Sequence, residues 1–123
     1  MSMTDQELNA LFAEKVCGWS FGDDGYGYET VYREKVAPYK TVGPVHKYPF
    51  THSLDAVLPW LEKSAFDVQI TYSNTCMLWT VTLQGRFTSN CEYRGEANGA
   101  DGEQLPRAIV LALLKAHGVE VKL

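Results

Sequence analysis

Phe66-Asp67-Val68-Gln69-Ile70-Thr71-Tyr72-Ser73 carries the clearest structural signal in the chain. Its apolar residues fall at every second position, a period that sends alternate side chains to opposite faces of a strand. Met77, Trp79, Val81 and Leu83 repeat the pattern against Leu78, Thr80, Thr82 and Gln84. Ser73-Asn74-Thr75 lies between the two runs, and short polar side chains of this kind hydrogen-bond the local backbone of a turn. The runs predict an antiparallel hairpin with one buried face, with Val68, Ile70, Trp79 and Val81 in one core together with Leu113 further along the chain. Gln84-Gly85-Arg86 reverses the chain again. A weaker strand follows, with Cys91 and Tyr93 opposite Glu92 and Arg94, and Glu96 to Gln104 reads as an aperiodic acidic loop.

A helix lies near the end of the sequence. Pro106 suits a first turn, where a missing N–H costs nothing. Ile109, Ala112, Leu113 and Ala116 form an apolar stripe, and Gly118 is placed to end the helix in the left-handed conformation. Val110, Leu111 and Leu114 lie off that stripe, so the helix needs cover beyond the sheet, from the N-terminal helix or from a second subunit. Val119-Glu120-Val121-Lys122-Leu123 alternates apolar and polar and could add to a sheet edge. Together these features lead to the expectation of a homodimer with the same patch on each subunit.

At the other end, Thr4-Asp5-Gln6-Glu7 matches a capping box, followed by an apolar face of Leu8, Leu11, Phe12 and Val16 and a stop at Gly18. A middle helix carries Leu54, Val57, Leu58 and Leu61, capped by Thr51 or Ser53. Pro59 inside it predicts a kink or a late start. Residues 20–49 are rich in Gly and Tyr. Tyr28 to Tyr32 and Lys40 to Lys47 read as a β-hairpin inserted between the first two helices, with Pro38 and Pro44 restricting it to edges and turns. The whole is an α+β chain, an antiparallel sheet packed with three helices in the order α–(ββ)–α–β–β–β–α.

At 123 residues the chain fits one domain, 1–123. No apolar run is long enough to cross a membrane and no secretory signal is evident. Three cysteines without a CxxC pair point to reduced thiols, and hence to a cytoplasmic setting. A net charge of −4 argues against direct nucleic-acid binding.

No catalytic signature stands out. Cys17, Cys76, Cys91, His46, His52 and His117 lack the short paired spacing of a structural zinc site, so no metal and no cofactor is expected. Cys17 sits at a helix C-terminus, where the dipole disfavours a thiolate. Gly22-Asp23-Asp24-Gly25-Tyr26-Gly27 neither follows a clear strand nor opens a helix, as a phosphate cradle would. The candidate binding residues are Trp19, Tyr26, Tyr28, Tyr32, Tyr39, Tyr48 and Trp60, because Tyr and Trp offer a large apolar face with a polar tip. Glu92, Glu96, Asp101 and Glu103 form an acidic set that could imitate phosphates.

Three blocks of the chain carry a family resemblance. They are Glu7 to Leu11 continuing into Ala13-Glu14-Lys15-Val16 and Gly18-Trp19; Pro49-Phe50-Thr51 leading to Glu62-Lys63; and Leu105 to Ile109 followed by Ala112 to Ala116. Together they resemble the phage ABA-sandwich domain, a small family of phage and prophage proteins, over nearly the whole chain. The middle block departs from the family pattern at His52-Ser53 and at Pro59. The resemblance implies a phage or prophage origin, a layered α/β fold and no catalytic residues to carry over. The expected role is non-catalytic: binding of an unidentified protein, such as a host or rival-phage factor. The alternatives are a small-molecule binder, such as a nucleotide-signal sponge in counter-defence, and an acidic nucleic-acid mimic.

Overall fold

The computed structural model describes residues 4–23, 30–35, 40–64, 66–85, 92–99 and 104–119, with the backbone alone at positions 23 and 30. Helix α1 (Asp5–Phe12) opens on the capping box read from the sequence: the Glu7 N–H donates to Thr4 Oγ1 at 3.2 Å, and the Thr4 N–H donates to Glu7 Oε1 at 3.4 Å. It continues through a π-helical turn (Ala13–Cys17) to Gly18, whose φ of 73° ends it. Three antiparallel strands follow, β1 (Trp19–Asp23), β2 (Thr30–Glu34) and β3 (Thr41–Pro44), in that spatial order. The β2–β3 pair is the expected hairpin. Strand β1 is an addition to it, pairing Phe21 with Tyr32 and Gly22 with Val31.

A 3-10 turn (Val45–Lys47) leads towards helix α2 (Leu54–Lys63). Ser53 caps α2, its Oγ accepting from the Ala56 N–H at 3.3 Å. The helix begins five residues ahead of Pro59 and runs through it, so the proline does not mark a late start. It removes one backbone donor, and its ring sits at an exposed position.

The second sheet is β4 (Phe66–Ser73), β5 (Leu78–Gly85) and β6 (Glu92–Asn98), antiparallel in the order β4-β5-β6. Its register matches the alternation: Val68 pairs with Leu83, Ile70 with Val81, and Tyr72 with Trp79. Strand β6 runs through Glu96, Ala97 and Asn98, where the sequence had suggested a loop. The reason is physical. Its core-facing positions there are Gly95 and Ala97, too small to give an apolar alternation, and helix α3 packs directly over them.

Helix α3 (Leu105–Ala116) has Pro106 in its first turn. At its end the Val119 N–H donates to the Leu114 carbonyl at 2.9 Å and the Gly118 N–H to the Lys115 carbonyl at 3.0 Å, with Gly118 at φ 76°. This pair of bonds is the Schellman arrangement, which satisfies carbonyls that have no partner within the helix. Ala108 to Leu114 are all buried. The sheet covers one side of α3, and α1, its π-helical turn and α2 cover others. The cover for Val110 and Leu114 therefore comes from this chain and does not call for a second subunit. Residues 120–123 lie outside the described residues.

One core expectation fails in part. Val81 and Leu113 are buried and Trp79 packs partly buried against the core, and Val68 and Ile70 point to the same sheet face, yet Val68 and Ile70 are 40% and 42% exposed. Helix α3 lies over β5 and β6, and β4 extends beyond its edge. The alternation gave the correct face but not the reach of the helix above it.

Candidate functional site

Four of the proposed binding aromatics lie among the described residues, and they pack into one cluster. Trp19 is its hub. Its ring centroid lies 5.4 Å from Tyr32, 5.1 Å from Tyr48, 5.5 Å from Trp60 and 6.2 Å from Phe50. Phe50 in turn contacts Phe12 at 4.6 Å, so the cluster joins the first sheet to α1 and α2. Tyr32 is fully buried, and its hydroxyl finds no hydrogen-bond partner among the described residues. Tyr48 is half-buried and donates its hydroxyl to the Val42 carbonyl at 3.2 Å. Tyr26, Tyr28 and Tyr39 lie outside the described residues.

Beside this cluster a cleft of about 480 Å³ opens between α1, β1 and the 3-10 turn. Gln6, Asn9 and Ala10 of α1 line one wall, and Phe21, Val45, His46 and Pro49 line the other. Strand alternation explains why Phe21 stands there. It shares a face with Trp19, but Trp19 lies over the core while Phe21 is 50% exposed at the mouth. Asn9 is held in place because its Oδ1 accepts the Thr51 N–H at 2.8 Å. That bond leaves the side-chain NH₂ of Asn9 as its donor group. No Lys, Arg, Asp or Glu lines the cleft among the described residues. These residues come from separate segments, each without a local motif, so no sequence signal joins them.

A second hollow of about 340 Å³ is lined by Val16, Trp60, Lys63, Ser64, Phe66 and His117. The Lys63 ammonium sits 4.5 Å from the Trp60 ring centre, a cation–π contact that holds the lysine along the wall.

Arg107 of α3 and His52, just ahead of α2, both reach Asp5 in the first turn of α1, with His52 Nε2 2.8 Å from Asp5 Oδ2. Three segments are tied at one carboxylate. Burial pushes the Cys17 thiol far up, and Lys63 offsets this only in part, so the thiol stays protonated. Burial, followed by the neighbouring Cys17, pushes the Tyr32 hydroxyl up to about 12. Cys91 lies outside the described residues, and Cys76 is exposed. Among the described residues no three His, Cys, Asp or Glu side chains come together as a metal site. No described helix is long and apolar enough to cross a membrane.

No protein-family model matches the chain, and no curated protein matches it. Among solved structures, the fold is similar to that of a phage protein from Bacillus cereus ATCC 14579. The TM-score is 0.66 at 17% identity, and the likeness covers 99% of this chain and 94% of that one. The likeness extends over nearly the whole length of both chains and is one of fold.

Proposed function

We propose that the chain is a phage or prophage accessory protein that acts in the cytoplasm of a bacterial host by binding a protein partner, without turnover. The fold shared with a Bacillus cereus phage protein supports the origin, as do the motifs resembling the phage ABA-sandwich domain. The cleft between α1 and β1 is the observation that carries the binding role. It is concave and mostly apolar, it offers amides from Gln6 and Asn9, and it has an exposed phenyl ring at its mouth. This chemistry suits an uncharged apolar side chain presented on a partner's backbone, with the amides meeting peptide groups.

The nucleotide-sponge reading fits less well. Phosphates call for Arg, Lys or a row of backbone N–H groups, and no cationic Lys or Arg lines the cleft among the described residues. Arg33 follows the buried Tyr32 on β2 and packs along Gly22, on the opposite face of that sheet. Nucleic-acid mimicry is weaker still. Glu92 is paired with Arg94 at 3.1 Å, and Arg94 stands between Glu92 and Glu96 on β6. Asp101 and Glu103 lie outside the described residues.

Affinity capture from infected or lysogenic cells tests the proposal, comparing the wild type with a Phe21→Asp variant. A protein retained by the wild type and lost by the folded variant supports it. Equal retention by both, or tight binding of a nucleotide in calorimetry with no protein retained, counts against it.

A further inference from the structure

We propose that β4 is a self-pairing edge, through which two copies join their second sheets into one continuous antiparallel sheet of six strands. Among the described strands β4 has a neighbour on one side only. Proteins protect such edges with charge, proline or shortness. The other sheet edges here show these devices. β6 carries Glu92, Arg94 and Glu96, β3 is four residues long and ends on Pro44, and β1 is only five residues long. β4 is eight residues long with no proline, no lysine and one charge, Asp67. It also bears the exposed Val68 and Ile70, on the face that α3 covers elsewhere.

The sequence of β4 is self-complementary. Antiparallel pairing about a two-fold axis at Gln69 sets Val68 against the partner's Ile70 and Phe66 against the partner's Tyr72. β-branched residues thus meet β-branched ones and aromatic residues meet aromatic ones, the favourable cross-strand pairs. On the other face Gln69 meets itself and Asp67 meets Thr71, so the two aspartates never oppose each other. The charge pattern therefore permits a second copy at this register. The surface available, one strand edge and two exposed side chains per copy, falls short of the roughly 1,200 Å² typical of a stable interface. A reversible dimer follows, weaker than an obligate one.

Sedimentation of the wild-type protein from about micromolar to about millimolar concentration tests the pairing. The expected result is a monomer–dimer equilibrium that Ile70→Lys weakens by about tenfold or more. Val68→Lys serves as a second variant, and thermal melts confirm that both remain folded. In a Cys76→Ser, Cys91→Ser background, mild oxidation should cross-link the Gln69→Cys variant to itself. The Asp67→Cys variant should not cross-link, because its two thiols would be about 13 Å apart along the strands. A strictly monomeric wild type, a dimer indifferent to both lysine variants, or equal cross-linking at both positions would overturn the proposal.

Discussion

Gly95 of β6 lies directly beneath Ala108 of α3: a Cβ built on the glycine would stand 2.1 Å from the Ala108 carbonyl oxygen and 2.5 Å from the Ala112 nitrogen. Both neighbours are backbone atoms and cannot rotate aside. The glycine sets the distance between the last helix and its sheet. Gly95→Ala should lower stability by about 1–3 kcal/mol, the usual cost of overpacking, and Gly95→Val should cost more. Chemical denaturation checks this, and an unchanged midpoint would show that the helix does not lie so close.

Leu83 and Ile70 separate face from cover. Leu83 is fully buried, and Leu83→Ala should cost about 2–5 kcal/mol. Ile70, 42% exposed on the same sheet face, should lose less than about 1 kcal/mol on truncation to alanine, measured dilute enough for the protein to be monomeric. Equal losses at the two sites would mean that β4 is covered.

These two sites also show what a sequence discloses. The terminal signals were legible because each is local chemistry: the Thr4–Glu7 capping box, Pro106 in a first turn and the Gly118 stop. The hairpin register followed from strict alternation in β4 and β5. The course of β6 past Gly95 was hidden because close helix packing demands small residues, and small residues carry no apolar signal. Strand β1 was hidden because its five residues, one of them Gly22, show only Trp19 and Phe21 as an alternation. Of the site, the aromatic residues could be named but not their partition. Trp19 and Tyr32 are used to hold the layers together, while Phe21, which carries no distinguishing sequence signal, faces the cleft.

Asp5 binds Arg107 and His52 at a half-exposed position, so the energy at stake is modest. A double-mutant cycle on Asp5→Asn and Arg107→Gln should return a coupling of about 0.5–1 kcal/mol that shrinks in molar salt. A coupling near zero at low salt would remove this contact from the forces docking α1 on α3.

Alkaline pH should weaken the fold through Cys17 and Tyr32. Both groups hold their protons more tightly when folded than their ordinary values of 9.0 and 10.0 allow. Between the unfolded and folded values the unfolded chain loses protons that the folded chain keeps. Stability is therefore complete below about pH 9 and falls as pH rises, with the Tyr32 part falling between 10 and about 12. Denaturation midpoints across this range should flatten in Tyr32→Phe and Cys17→Ala. At pH 8 a thiol reagent should modify exposed Cys76 quickly and Cys17 slowly, and fast labelling at Cys17 would contradict its burial.

Site-specific photo-cross-linking in infected or lysogenic cells tests whether the cleft binds a protein. A photoreactive phenylalanine analogue at position 21 stands at the cleft mouth, and the same analogue at Thr82 stands on the outer, polar face of the second sheet. A discrete protein adduct is expected from position 21 and none from position 82. No adduct from position 21, or the same adducts from both positions, would contradict it.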